Sequence, residues 1–371
     1  MKIPAFVDRL PLRLREPVRF LIHHDNAVVF VVGFVFDMVT IQRIDSWLDL
    51  AIQFCYMVIL TLLLVYQYRE HRGTWAPNPK FAKIWSFNVE ALHFFYGGLL
   101  SSYVVLYFKS STGARSVVFF LVLVVLLFVN EMPQIRRVGY RLRLGLYAFC
   151  VVSFLTFFFP IVIGRMGGWI FALAVMTAAF VVWRVAGLLA NHDTEPRPAQ
   201  RRLFAPAAAL LTLISVLYVL KLIPPVPLSV QFQGVYHNIE RVGGAYTLTY
   251  EKPPFYAFWR RDSRPFHRRT GDRLCYFARV FAPSRFHHEI TIRWDIFDER
   301  RGEWLTSDRM AMAISGGRAE GFRGVATKDN FTAGKWRVTS ETEDGRAISV
   351  LHFTVEDDPG TGERPWNSSK A

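Results

Sequence analysis

The chain changes its hydrophobic pattern near residue 223. Before that point the apolar residues run in long stretches, at about 27–44, 46–67, 84–107, 116–131, 143–164, 167–189 and 203–222. Each approaches the roughly 20 residues that cross about 30 Å of hydrocarbon, and such runs must be helical because lipid satisfies no open backbone group. The first is interrupted by Asp37 and the fourth is short. After Ile223 the pattern becomes an alternation of period two. Ile290, Ile292, Trp294 and Ile296 alternate with Thr291, Arg293 and Asp295, as in a half-buried strand. Asp344-Gly345 between two apolar-patterned runs predicts a hairpin. Asp298 to Gly302 reads as a turn leading into a strand that begins at Trp304.

The predicted architecture is therefore a bundle of about seven transmembrane helices followed by an all-β, immunoglobulin-like sandwich of seven or eight short strands. The boundaries expected are 1–25 for a basic segment lying on the cytoplasmic leaflet, 26–223 for the helices and 224–229 for a stiff proline-rich linker. The sandwich is expected over 230–356 and a disordered tail over 357–371.

Composition agrees, with 52% hydrophobic residues, 20% charged and 33 Phe. The net charge of +14 would suit nucleic acid, but its distribution argues otherwise. Residues 1–227 hold 22 Lys and Arg against 11 Asp and Glu, so the excess sits in the apolar half. Sixteen of those basic residues fall on one side of the predicted spans, among them Lys2, Arg69, Arg136 and Arg201. The alternate loops carry Arg43, Lys109, Arg115 and Arg165. By the positive-inside rule the N-terminus is cytoplasmic, and seven crossings put the β-rich half outside the cytoplasm. No nucleic-acid partner is expected. The three cysteines, Cys55, Cys150 and Cys275, leave the outer half without an internal disulfide, which permits an oxidising compartment without requiring one.

Polar residues inside the predicted spans are candidates because they are costly there. Asn88, Glu90 and His93 lie in the third span, with Glu90 and His93 on one helix face. Asn130 and Glu131 end the fourth span on the same side. Together they read as an inter-helix network or a functional polar pocket. A di-iron bundle would need a second Glu-x-x-His inside the membrane, so no metal is expected. Asp37, Arg43, Asp45 and Asp49 form an outer-face cluster that can brace the first two spans. Gly98 and Ser102 form a small-xxx-small pair suited to close helix packing. In the outer half, Phe255, Tyr256, Phe258, Trp259, Arg260 and Arg261 form an aromatic and basic cluster. It reads either as a binding surface, for a leaflet or for an anionic or sugar-like partner, or as a loop packing its rings into the sandwich. No nucleophile-elbow, Walker, zinc-protease or dinucleotide motif occurs, and no cofactor is expected.

Gly33-Phe-Val-Phe-Asp37, Ala91 through Tyr103, Tyr107 through Ser111 and Asn130-Glu131 resemble an uncharacterised bacterial family of multi-spanning membrane proteins. Cys275-Tyr-Phe-Ala-Arg279, Gly334-Lys-Trp-Arg-Val338 and Phe353-Thr-Val355 resemble its companion, a C-terminal domain of unknown function (family 2914). The resemblance implies a Gram-negative inner-membrane protein with a periplasmic domain, and implies no activity. The expected function is non-enzymatic: membrane lipids surround the helices, and the periplasmic sandwich binds a protein, glycan or lipid of the envelope. A transporter or channel lined by Glu90, His93 and Glu131 is the alternative. An enzyme acting on lipid or cell-wall precursors is the third reading. The oligomeric state is open.

Overall fold

A computed structural model describes residues 46–110, 121, 139–191, 193–282, 287–315 and 321–371. Among them lie six α-helices: α1 (Trp47–His71), α2 (Ala82–Trp85), α3 (Asn88–Ser110), α4 (Tyr140–Ile163), α5 (Gly168–Ala190) and α6 (Pro196–Val219). All but α2 are long and apolar enough to cross a bilayer, judged by length and composition. They correspond to five of the seven expected spans. The other two, 27–44 and, apart from Leu121, 116–131, fall outside the described residues, so the described count is five long helices and not seven. The expected leaflet segment 1–25 falls outside as well.

Local chemistry sets the helix ends. The Asp49 N–H donates to the Ser46 side chain at 3.3 Å, while Asp49 sits in the first turn of α1 and Arg69 and His71 in the last. That polarity suits the helix dipole. At the end of α6, the Leu222 N–H reaches the Leu217 carbonyl and the Lys221 N–H the Tyr218 carbonyl, each at 3.0 Å. This is a Schellman stop with Lys221, at φ +57°, in the left-handed position that glycine usually takes.

Leu50, Gln53, Met57, Leu60, Leu64 and Gln67 form the buried stripe of α1, spaced by threes and fours. The opposite face is exposed yet equally apolar, with Leu48, Ile52, Phe54, Val58 and Leu62. Met176, Phe180 and Leu188 repeat this on α5. A surface helix in water would place polar residues there.

Contacts divide the chain into two compact units. The first comprises the described parts of Met1–Leu106, Phe120–Phe154 and Val175–Ile214. Within it Gly98 lets the Tyr56 ring approach, since a Cβ there would lie 3.1 Å from that ring. Ser102 bonds back to the Gly98 carbonyl at 2.8 Å, within its own helix. The pair thus serves close packing, through the glycine.

The second unit comprises the described parts of Tyr107–Phe119, Leu155–Ala174 and Ser215–Ala371. Its β-rich region holds eleven strands, β1 (Ser229–Tyr236), β2 (Asn238–Val242), β3 (Ala245–Glu251), β4 (Phe266–Arg268), β5 (Leu274–Phe281), β6 (His287–Asp298), β7 (Glu303–Ser315), β8 (Phe322–Lys328), β9 (Gly334–Thr342), β10 (Ala347–Asp357) and β11 (Trp366–Lys370). They form three sheets, ordered β1-β5-β8, β4-β10-β9-β6-β7 and β11-β3-β2. The expected two-sheet sandwich of seven or eight strands is thus extended by a third sheet. Val235, Leu274, Tyr276, Ala278 and Val280 pack with Ile292, Trp294, Trp336, Val338 and Phe353 of the five-stranded sheet. Tyr236, Cys275 and Phe277 point the other way, into a second core with Leu248 and Tyr250. The central strand β5 is therefore buried on both faces, which is why Leu274–Phe281 reads as a nearly continuous apolar run. Residues 357–371, expected to be disordered, contain β11, which pairs with β3 from Trp366↔Glu251 to Lys370↔Thr247.

The expected proline linker is not a free spacer. Ile223 to Ser229 are buried. They pack in the second unit with Pro160, Met166, Ile170, Phe171 and Arg346 around a cavity of about 30 Å³, room for a water or two. Phe171 stacks on Tyr218 with ring centroids 3.6 Å apart and planes within 8°. The Arg346 guanidinium lies 3.2 Å from the centroid of Tyr218 and pairs with Asp344 at 2.8 Å. The hairpin Glu343-Asp344-Gly345, with Gly345 at φ +73°, is thereby clamped to the end of α6. Arg346→Ala is expected to lower stability by about 1–3 kcal/mol through loss of a desolvated cation–π contact and its hydrogen bonds. Thermal unfolding of the full chain in detergent measures it; an unchanged midpoint would mean that the stack contributes nothing.

Candidate functional site in the β-rich region

The aromatic and basic cluster predicted from sequence lies between β3 and β4. Phe255–Ala257 form a single 3-10 turn following Pro253-Pro254. Its rings do not pack into the core: Phe255 is 95% exposed, Tyr256 75%, Phe258 76% and Trp259 65%. Arg260 and Arg261 are exposed beside them. The base of the loop is fixed. Ala257, Asp262 and Ser263 are buried, the Ser263 N–H donates to the Val235 carbonyl at 2.8 Å, and the Glu251 N–H reaches the Ser263 hydroxyl at 3.3 Å. A Cβ on Gly234 would lie 2.6 Å from the Tyr236 hydroxyl and 2.9 Å from Asp262, so a glycine is needed where the loop closes onto β1. Asp262, the one carboxylate between Lys252 and Arg264, is withdrawn from the surface and pairs with Arg264 at 2.6 Å. Burial pushes its carboxyl above the ordinary value, against the opposing pull of Arg264.

Register places this loop relative to the clamp at the end of α6. β1 leaves the buried proline segment at Ser229, and Val235, which holds the loop base, is six residues on, about 20 Å at the rise of a strand. β10 leaves Arg346 and reaches Val355, which pairs with Phe266 just after the loop, about 25–30 Å away. Both strands carry the loop base to the end opposite the clamp.

Behind the loop lies a cluster that no motif announced. The His237 ring stacks on Phe266 with centroids 3.9 Å apart, and Trp366 meets its edge at 4.9 Å. Its Nε2 lies 3.2 Å from Glu251, and Glu251 is also bonded to His267. Arg364, reaching in from the C-terminal segment, donates to Asp272 at 2.9 Å and lies 3.4 Å from Asp358, which Arg269 binds at 2.7 Å. A cleft of about 770 Å³ opens beside it, with Arg268, Asp329, Phe331 and Asp357 on its walls. Arg268 is bonded to Asp357 and to the Phe331 carbonyl, and the cleft walls carry four carboxylates, Asp272, Asp329, Asp357 and Asp358, against Arg268 and Arg269. Among the described residues, no group of three or more His, Cys, Asp or Glu is arranged to hold a metal ion.

Burial alone would raise the Glu251 carboxyl, but hydrogen bonds from His237 and His267, and their charge, bring it below the ordinary 4.5. A lowered carboxylate stabilises the fold above its unfolded value, and that stability is lost as pH falls through the folded value. The β-rich region should therefore lose stability on acidification below the ordinary carboxylate range. Glu251→Gln should cost about 1–3 kcal/mol at neutral pH and flatten that acid dependence. Melting curves of both proteins across the range test this; parallel curves would remove Glu251 from the account.

Of the intramembrane candidates, the described residues are Asn88, Glu90 and His93. The Asn88 carbonyl groups of side chain and backbone accept from Gln67 at 2.7 and 2.9 Å, and its amide donates to the Trp85 carbonyl at 2.7 Å. Gln67 accepts in turn from Arg143 at 2.8 Å, and Tyr140 donates to its backbone carbonyl at 2.9 Å. Asn88 thus belongs to an inter-helix network. Glu90 is exposed and His93 half-buried, and Asn130 and Glu131 fall outside the described residues. So do Asp37, Arg43 and Asp45 of the outer-face cluster; Asp49 stands alone of that set in the described helices, in the first turn of α1. Sequence reasoning missed Tyr68 and Asp193, bonded at 2.7 Å across 125 residues.

Residues 287–355, which span β6 to nearly the end of β10, match the family described as protein of unknown function (DUF2914). This is the C-terminal domain that the β-rich half resembles. Comparison with curated proteins finds no match. A solved structure of Pseudomonas fluorescens alkylpurine DNA glycosylase AlkC, bound to DNA containing an abasic site analogue, aligns with 85% of this chain and 99% of its own at 10% identity. Its TM-score of 0.20 carries no argument about fold or activity.

Proposed function

We propose that this chain is a non-enzymatic integral protein of the bacterial inner membrane whose β-rich domain stands in the periplasm and binds an envelope partner, as a scaffold or assembly subunit. The observation that carries this reading is the loop Phe255–Arg261, four exposed aromatic rings beside two arginines on a base fixed in the core. Monomeric proteins rarely leave such a patch to water without a use. The membrane part of the reading is supported by five long helices that are apolar on their exposed faces and by the alternation of basic loops.

Two measurements test it. In a Cys55→Ser background, a cysteine placed at the exposed Thr361 should react with a membrane-impermeant maleimide in spheroplasts. One placed at the exposed Lys80 should react after the membrane is breached. The reverse pattern would invert the topology. Replacing Phe255, Tyr256, Phe258 and Trp259 by Ser should change stability by no more than about 0.5 kcal/mol, as expected at exposed positions, yet reproduce the phenotype of deleting the whole gene. A loop variant that complements the deletion fully would end this reading.

A further inference from the structure

Resting on the reading of the β-rich domain as a binding module, we infer that the partner of loop 255–261 is a folded protein that presents an apolar pocket rimmed by carboxylates. Three observations select a protein over a leaflet or a glycan.

The first is composition combined with preorganisation. Tyr, Trp and Arg are the residues that dominate protein–protein hot spots, and here they stand together on a short turn. Buried Ala257, Asp262 and Ser263 hold that turn, and the bond from Ser263 to Val235 ties it to β1. A loop held at its base has less conformational freedom to lose on docking. The second is charge. Lys252, Arg260 and Arg261 are exposed, while Asp262, the one carboxylate between Lys252 and Arg264, is buried and taken by Arg264. The loop surface is left with cationic charge around its rings, and the complementary surface is acidic.

The third is placement and shape. The loop base lies about 20 Å or more from the proline clamp, measured along β1 and β10. The base of the loop therefore lies at the end of these strands away from the buried proline segment. Phe258 and Trp259 meet edge to face, centroids 5.2 Å apart and planes at 81°. Two rings at right angles form a wedge suited to a pocket, whereas a sugar stacks on a flat ring face.

Photocrosslinking in living cells with the full chain decides the matter. A benzophenone amino acid replaces Phe258 in one variant and Phe255 in another. The expected result is a discrete protein adduct. Its attachment site, mapped by peptide mass spectrometry, should lie in an apolar pocket flanked by Asp or Glu. Arg260→Glu with Arg261→Glu should lower adduct yield about tenfold or more, and Arg260→Lys with Arg261→Lys should retain most of it. All these positions are exposed, so chain level and melting temperature should stay unchanged and serve as controls. An adduct of lipid or glycan overturns the inference while leaving the domain a binding module. A protein adduct indifferent to the charge reversal overturns it too. The absence of any adduct removes both the inference and the reading on which it rests.

Discussion

The central strand β5 is buried on both faces, and the arrangement of the β-rich region follows from covering it twice. On one side Tyr276 and Ala278 meet Trp294 and Trp336 of the five-stranded sheet. On the other side Phe277 and Tyr236 would stand in water without β2, β3 and β11. Burying a side chain such as Phe277 is worth about 1.5–3 kcal/mol, so the third sheet is part of the core and not an ornament on it. That sheet is closed by β11, which brings Trp366 and Arg364 against His237. The ionic cluster around Glu251 is thus a result of covering the middle sheet.

The same region shows how buried polar groups are tolerated. Tyr276 sits between the two large sheets, yet its hydroxyl bonds to Gln233, Ser340 and Ser349 at 3.0, 2.9 and 3.3 Å. Asp295, on the outer face of the five-stranded sheet, is held by Arg337 at 2.7 Å and Thr306 at 2.9 Å. Both buried groups have partners, as the desolvation cost demands. Against this background the aromatic loop is the exception: its hydrophobic rings are left in water, while the neighbouring carboxylate is hidden.

Much of this was legible in the sequence, for reasons that differ by element. The five long helices are marked by run length alone, which needs no knowledge of neighbours. The hairpin at Asp344-Gly345 and the turn ending at Gly302, φ +69°, were legible because their backbone requires glycine. β5 was recognised as a strand, but burial on both faces erases the alternation that would say which side is covered, and the third sheet stayed hidden. The C-terminal residues looked disordered because Asp358-Pro-Gly-Thr-Gly is turn-rich; the pairing of Asn367-Ser-Ser369 with β3 is non-local and leaves no pattern in composition. The cluster of His237, Glu251, His267, Asp272 and Arg364 spans 127 residues between its extremes and has no spacing rule. For the loop, the residue types were plain, but whether its rings faced the core or water depended on how Gly234 and Ser263 close its base.

The buried proline segment has a mechanical meaning. A flexible tether would let the β-rich domain turn freely, so that a pull on it would dissipate in the tether. Here Ile223 to Ser229 are packed, and Arg346 is stacked on Tyr218, itself stacked on Phe171. The start of β1 and the hairpin at Gly345 are thus held at Tyr218 by contacts within one compact unit. A force on the β-rich region is then borne by packed side chains, the stack of Arg346, Tyr218 and Phe171, and not by a slack stretch of chain.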